Sequence, residues 1–489
     1  MPDNSLSRLA DVIRQGLRSV PEKGVRPLLE GLFGERFQKR HFEPSLVRDA
    51  YALASSDEQD GVPFAGLIHQ DNPPSGPYGG ASLVWFPTSA SGSLIGFVVG
   101  TRGLSPDEGI LTKPGHRRRL VALRRYLKEL GVEAWTKSDP AALNQPVPKG
   151  VRDRFPGFER VFQRYGAEMY CNARVPDDPE LANKVVQAFV DLYAHERNWQ
   201  ILQAFKAESE KLLGYIWDKT FEAIDAEQVH QVLKARRFVI LQGPPGTGKT
   251  RLAEDVRRGF FDGRGITAQF HPAVTYEDFL VGLSPDAQAG SLRFGVRPGW
   301  LVEAARVAKD GPAVLILDEI NRADLAKVLG EAVFLFEPGE VGGERARQVR
   351  LAHPVDGTHD FSLPEGLYVL GTMNTADRSI APIDIAIRRR FAFLTLLPQR
   401  SVVAAQNLPL ALSIFDQLAG VFVEHVPEDS LDLLPGHAYF LAPDEEALRR
   451  RFRYELVPLL DEYLRQGLVG PAASELQAVR DTIHDIVTA

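Results

Sequence analysis

Cysteine is almost missing from this chain: Cys171 stands alone among 489 residues. A single thiol cannot close an internal disulfide and leaves no multi-cysteine zinc site, which fits a reducing compartment, so a cytoplasmic protein is expected. The plain role for Cys171 is that of a small buried hydrophobe. Long apolar runs are missing as well. No run approaches the roughly 20 residues that span a bilayer, and the opening MPDNSLSRLADVIRQGL has no continuous apolar core, so no membrane attachment is expected. A basic excess is also absent: 57 Lys and Arg stand against 64 Asp and Glu, for a formal net charge of −7. Nucleic-acid binding is therefore not announced by the whole chain, although a local patch can sit inside an acidic average. A home for nuclease chemistry is lacking too. A PD-(D/E)xK site needs an acidic residue two positions before a lysine, and no lysine here has one; the scattered histidines offer no HNH or zinc nuclease. His271 is better placed as part of an interface motif than as a metal ligand. If this protein works on DNA that is cut, a separate subunit does the cutting.

What is present is concentrated in one stretch, FVILQGPPGTGKT at 238–250. A short apolar β-rich run stops at a Gly/Pro-rich turn, and a helix-permissive stretch, RLAEDVRRGFF, follows. The turn matches G-x-x-x-x-G-K-[ST] over Gly243, Pro244, Pro245, Gly246, Thr247, Gly248, Lys249 and Thr250. Backbone N–H groups of such a turn curl around phosphates, the helix N-terminus adds positive dipole, Lys249 reaches the β- and γ-phosphates, and the Thr250 hydroxyl ligates Mg²⁺. A nucleoside triphosphate is the implied ligand.

At 489 residues the chain has room for two or three domains. Leu6, Leu9, Val12, Ile13 and Leu17, then Leu28, Leu29, Leu32 and Phe33, predict amphipathic helices up to about residue 40. Two apolar runs, ASLVWFP at 81–87 and SLIGFVVG at 93–100, flank TSASG and predict a β-hairpin in an α+β domain. The basic stretch that follows carries Arg102, Lys113, His116, Arg117, Arg118, Arg119, Arg124, Arg125 and Lys128. Two readings stand open for it. It is a phosphate-contacting surface, with Tyr78, Trp85, Phe86 or Trp135 to stack on a base, or it is a solvated helix face whose Leu120, Leu123 and Leu127 pack inward. Residues 151–170 mix basic and aromatic side chains, which core packing explains. Residues 176–236 read as mostly helical, with a domain seam near 195–215.

Beyond the phosphate loop, buried-strand patterns recur at 266–270, 313–317 and 367–373, alternating with helical segments, so a parallel sheet with ligands at its carboxyl ends is expected. The second strand opens AVLILDEINRADL. There Asp318 can hold Mg²⁺ through water while Glu319 polarises the attacking water. The third ends GTMNTADRSIAPIDIAIRRRF, where the Asn374 amide can orient that water or touch the γ-phosphate. Arg388, Arg389 and Arg390 would be redundant with Lys249 at their own site; they fit an arginine finger presented to a neighbouring subunit's nucleotide, although arginines at a helix end also complement its dipole.

Together GPPGTGKT, QFHPAVTYEDFLVG (269–282), LDEINRADLAKVLGE (317–331) and GTMNTADRSIAPIDIAIRRRF (371–391) resemble the AAA+ GTPase/ATPase subunit of McrBC-type modification-dependent restriction systems. GHAYF (436–440) and LVPLLDEYL (456–464) extend the likeness, which spans roughly residues 210–465. The resemblance implies an α/β AAA+ core, at 201–400, with a helical lid at 401–489, behind an α+β target-recognition domain at 1–200. It further implies a homo-oligomeric, hexameric motor with Mg²⁺ and ATP or GTP bound between subunits, an McrC-like nuclease partner, and a defence role in which the front domain chooses the target, with DNA the preferred reading over a protein. It carries the Walker A residues Gly243, Gly248, Lys249 and Thr250, the Walker B pair Asp318 and Glu319, a sensor motif at Met373, Asn374, Asp377 and Arg378, and the finger among Arg388 to Arg390. Residues 340–361 would form a hairpin inserted before the sensor strand.

The first 200 residues match no particular methylcytosine-reading module of that family, so the resemblance transfers no target. The alternative keeps the hydrolase and changes the client, to a MoxR-like chaperone that remodels protein. DEINRA and the MNTADRS run favour the restriction motor. The phosphate grip alone does not choose between ATP and GTP.

Overall fold

In a computed structural model the described residues are 4–42, 47–51, 61–68, 80–90, 92–100, 107–140, 142, 145–218, 220–221, 223–286, 293–344, 346–376 and 383–488. Tyr78, Arg102, Asp377 and Arg378 lie outside them. The chain divides into two units, Met1–Phe221 with Val423–His425, and Glu222–Phe422 with Val426–Ala489. The divide falls downstream of the expected seam, because the helix Gln203–Asp218 is fastened to the first unit by Arg36 over the Phe205 ring and by Gln187 donating to Glu208.

The first unit is built on a six-stranded antiparallel sheet in the order β1-β2-β3-β4-β6-β5. Its strands are β1 Val47–Asp49, β2 Ala65–Leu67, β3 Ala81–Pro87, β4 Ser93–Val99, β5 Ala134–Thr136 and β6 Met169–Arg174. The expected hairpin is β3 with β4, whose register pairs Trp85 with Ile95. Both strands are buried along their whole length, as continuous apolar runs covered on two faces must be. Leu83, Trp85, Ile95 and Phe97 pack under the helices Ser5–Gln15, Arg26–Glu35, Pro114–Glu129 and Pro179–Glu196. Val84, Phe86, Leu94 and Val98 face Phe155, Phe158 and Phe162 instead. Core packing therefore does account for the aromatics of 151–170. It also removes Trp85 and Phe86 as stacking platforms: both are buried, and the Trp85 indole donates to the Tyr51 hydroxyl at 2.9 Å.

The second unit holds five parallel strands in the order β15-β7-β14-β11-β8. These are β7 Phe238–Gly243, β8 Gly265–Gln269, β11 Ala313–Asp318, β14 Leu367–Asn374 and β15 Ala392–Thr395. Alternation along each strand feeds two cores. Phe238, Ile240, Leu315, Leu317 and Val369 enter one, and Val239, Leu241, Val314, Ile316 and Leu370 enter the other. The sheet is sandwiched between helices, the arrangement that parallel strands require. Two hairpins stand apart from it. One is β12 Val349–Val355 with β13 Thr358–Phe361, inside the segment expected to hold one. The other, β9 Val281–Asp286 with β10 Arg293–Pro298, is not signalled by the sequence pattern.

The last hundred residues are helical: Pro409–His425, Glu445–Arg451, Val457–Arg465 and Ala473–Thr488 are the main elements. Leu418, Phe422, Leu448, Phe452, Leu460, Leu476 and Ile483 are fully buried there. No helix among the described residues is long and apolar enough to cross a membrane.

Candidate nucleotide site

Strand order places the site. β7 lies between β14 and β15, and β14 lies between β7 and β11, so the carboxyl ends of β7, β14 and β11 are neighbours. The register sets Asn374 beside Gly243, and Leu317, one residue before Asp318, beside Gly371. Gly243 turns the chain out of β7 at φ 153°, where a Cβ would stand 2.2 Å from the Leu396 carbonyl oxygen; only glycine fits. The loop then enters the helix Lys249–Phe260, whose first residue, Lys249, is buried.

Lys249 Nζ donates to the carbonyls of Gly243 (3.0 Å) and Pro244 (2.7 Å) and to Asn374 Oδ1 (2.7 Å). Burial pulls its pKa down to about 8, against the pull of Glu319 and Asp318. Thr250 Oγ1 donates to Asp318 Oδ1 at 2.7 Å, and Thr372 Oγ1 donates to the same oxygen at 2.6 Å. Hydroxyl and carboxylate oxygens this close are the hard donors Mg²⁺ takes, and that ion keeps several waters, so two protein ligands suffice.

Glu319 follows in the left-handed region at φ 54°. For a non-glycine residue this conformation costs roughly 1–3 kcal/mol. It is held by the Glu319 amide donating to Thr372 Oγ1 at 3.1 Å and by Asn374 Nδ2 donating to Glu319 Oε1. Asn321 Nδ2 in turn donates to the Asn374 carbonyl at 3.0 Å. The second oxygen, Glu319 Oε2, accepts no hydrogen bond, although Arg322 Nε stands 3.4 Å away. A buried carboxylate oxygen left open beside an oriented amide can take a water. Thr372 was not singled out in the sequence. Its hydroxyl in an otherwise apolar strand, LYVLGTM, was the available signal.

The sequence-selected residues thus fall into three groups. Gly243 to Thr250, Asp318, Glu319 and Asn374 converge. Arg388, Arg389 and Arg390 sit on the turn from Ile385–Arg388 into β15, and Arg388 lies over the Phe393 ring at 5.1 Å. Arg388 and Arg389 are exposed, whereas Arg390 is buried and donates to the Ala386 carbonyl at 2.6 Å. Burial, with Arg389 beside it, pulls the Arg390 pKa down. The third group, Arg117, Arg118, Arg119, Arg124 and Arg125, shares the helix Pro114–Glu129 but not one surface. Arg118 and Arg119 are buried, and Arg119 grips Glu196 through Nε (2.7 Å) and Nη2 (2.9 Å). These two are structural rather than phosphate-facing. Arg117 pairs with Asp139 at 3.0 Å. His271 Nδ1 accepts from the Ala273 amide at 3.3 Å, and no group of three or more metal-ligating side chains exists among the described residues.

A parallel sheet in this order, with a phosphate loop after β7, an asparagine at the end of the central strand β14 and an acidic pair at the end of β11, defines a P-loop NTPase of the AAA+ class. The family match agrees: residues 238–391 match the AAA domain (dynein-related subfamily). The chain is 30% identical over 349 residues to the "Type IV methyl-directed restriction enzyme EcoKMcrB subunit" of Escherichia coli (strain K12), covering 65% of this chain and 75% of that protein. It is also 27% identical over 209 residues to the "Type II restriction enzyme BsuMI component YdiS" of Bacillus subtilis (strain 168), covering 35% of this chain and 61% of that one. A solved structure of a putative ATPase from Cytophaga hutchinsonii aligns with TM-score 0.26 at 17% identity, over 57% of this chain and 89% of that one, too loosely to add to the site. The chain belongs to the McrB family of restriction-enzyme subunits, and nucleoside-triphosphate hydrolysis is the activity of its core.

Proposed function

We propose that this chain is the nucleotide-driven motor of an McrBC-like restriction system: an oligomeric, Mg²⁺-dependent ATPase or GTPase that engages DNA through its first unit and drives a separate nuclease subunit. The observation that carries the hydrolase is the hydrogen-bonded set Lys249, Asn374 and Glu319, in which one amide ties the phosphate-binding lysine to the carboxylate that polarises water. A protein that only binds nucleotide has little use for a positioned water. Thr250 and Asp318 would hold Mg²⁺, which supplies charge neutralisation across the β- and γ-phosphates. The exposed Arg388 and Arg389 are the finger candidates for a neighbouring copy.

Burial of Arg118 and Arg119 moves the proposed DNA surface elsewhere on the first unit. In 149–164 the aromatic side chains point inward while Lys149, Arg152, Arg160 and Arg164 are exposed and, among the described residues, in no ion pair. Uncompensated cations on the outer side of one segment suit a phosphate backbone.

The test is steady-state hydrolysis of ATP and of GTP by the full chain, with and without duplex DNA. DNA stimulation that weakens steeply with salt, and falls when the four cations of 149–164 are replaced by serine, supports the reading. ATP preference with indifference to DNA would redirect it to a chaperone-like motor acting on protein.

A further inference from the structure

The helical segment after residue 400 touches the phosphate loop directly, and it does so through backbone. The short 3-10 turn His437–Phe440 is entered at Gly436. Gly436 N donates to the Pro245 carbonyl at 3.1 Å, and Ala438 N donates to the Gly246 carbonyl at 3.0 Å. A Cβ on Gly436 would lie 2.1 Å from the Gly246 carbonyl carbon, so only glycine permits this approach. The Tyr439 ring closes over Gly246, with ring atoms 3.2 Å from the position a Cβ would take there.

Between these two anchors sits His437. Its Nδ1 accepts from the Gln399 amide at 3.4 Å, which leaves Nε2 to carry the proton. Among the described residues, and apart from Gly248 and its two chain neighbours, Nε2 is the one atom within 4 Å of the Cβ position of Gly248, at 3.7 Å. Burial, then Arg251, lowers the His437 pKa, so the ring stays neutral near pH 7 and keeps that tautomer. Gly248 caps the helix Lys249–Phe260, and backbone amides at this part of a phosphate loop face the α- and β-phosphates.

We propose that His437 is a nucleotide-binding residue of the lid, its Nε2–H donating to a non-bridging oxygen of the α- or β-phosphate held by the loop. The inference rests on the nucleotide-hydrolase reading above. The contact involves neither the γ-phosphate nor the base, so ATP, GTP and their diphosphates share it. Because the neighbours of His437, Gly436, Ala438 and Tyr439, clamp Pro245 and Gly246, nucleotide occupancy and lid seating become one event.

The experiment uses the full chain carrying E319Q, so that nucleotide is not consumed, and titrates ADP, ATP and GTP by calorimetry against H437L and H437Q. A hydrogen bond to a charged phosphate lost without replacement should raise Kd about tenfold or more for all three nucleotides in H437L. H437Q, which retains a donor near Nε2, should stay within about threefold of its parent. The melting temperature of each nucleotide-free protein separates binding from packing. Unchanged Kd in H437L overturns the proposal, as does equal weakening in both variants matched by a drop in nucleotide-free melting temperature. A parent chain that binds no nucleotide at all overturns the hydrolase reading and this inference with it.

Discussion

Asn374 donates its amide hydrogen to Glu319 Oε1 and receives the Lys249 ammonium on its own oxygen at 2.7 Å. The two ends of that amide cannot be exchanged, because an ammonium only donates and a carboxylate only accepts. Asn374 is therefore oriented by its neighbours and in turn fixes Glu319, whose φ of 54° would otherwise be costly to hold. Replacing Glu319 by Gln should leave nucleotide binding within a few-fold of the parent and lower kcat by about 10²–10⁴, the usual range for a general base. Asn374→Ala should lower kcat by about 10²–10³ with a smaller change in KM. Single-turnover hydrolysis beside equilibrium binding checks both; full turnover in the Glu319→Gln chain would sink the assignment.

Thr372 serves both acidic residues at once, donating to Asp318 and accepting from the Glu319 amide. Thr372→Val keeps the shape and removes the hydroxyl, leaving that part-buried amide without its acceptor, at about 1–3 kcal/mol. The expected outcome is a lower melting temperature together with a raised Mg²⁺ requirement for turnover. Serine at this position should recover most of both, since it restores the hydroxyl.

How much of this could be read in the sequence depended on whether the partners were close along the chain. The phosphate loop was legible because strand, turn and helix are contiguous, and the acidic pair because it follows a run of apolar residues. The hydroxyl of Thr372 was not, since its partners lie 53 and 54 residues away. Arg119 illustrates the opposite error. Helical periodicity cannot distinguish an outward arginine from one that meets Glu196 across 77 residues. The whole-length burial of β3 was written in ASLVWFP, a run without polar alternation, yet Trp85 and Phe86 still read as available surface. The β9–β10 hairpin escaped because Gly282, Pro285 and Gly295 interrupt a short and weakly alternating pattern.

The three consecutive arginines should separate into two behaviours. Arg388 and Arg389 are exposed, so Arg388→Ala or Arg389→Ala should spare nucleotide binding and lower turnover, by about 10³ for the true finger. Mixing such subunits with Lys249→Ala subunits should recover part of the activity, because one of the two kinds of mixed interface joins an intact loop to an intact arginine. Arg390→Ala should instead lower the melting temperature, since its guanidinium is buried against the Ala386 carbonyl. Mixtures that never recover would count against a site shared between copies.

In the first unit Arg36 and Asp191 form a fully buried bidentate pair, at 2.8 and 2.6 Å. Removing one partner strands the other, which typically costs about 3–5 kcal/mol. Asp191→Asn should therefore destabilise this unit in urea by roughly that amount. Replacing both residues by leucine and methionine of similar volume should return much of the loss. An Asp191→Asn chain as stable as the parent would show that Glu208, 3.6 Å from Arg36, is partner enough.

Glu196 gives the first unit an acid limit. Burial alone would raise its pKa, but His116 at 2.9 Å and the bidentate Arg119 outweigh that and hold the carboxyl well below the usual glutamate range. A carboxyl whose folded pKa is depressed binds fewer protons than the unfolded chain does. Its contribution to stability is present above the ordinary glutamate pKa and is lost as pH falls toward the lowered one. Urea stability of the parent should decline below about pH 4.5, the ordinary glutamate value, with part of the slope due to this one group. In Glu196→Gln the stability at pH 7 should be lower and the acid slope shallower, because the titrating partner of Arg119 is gone. Parallel pH curves for the two proteins would mean that other carboxylates carry the acid sensitivity and that the Arg119 grip is incidental to it.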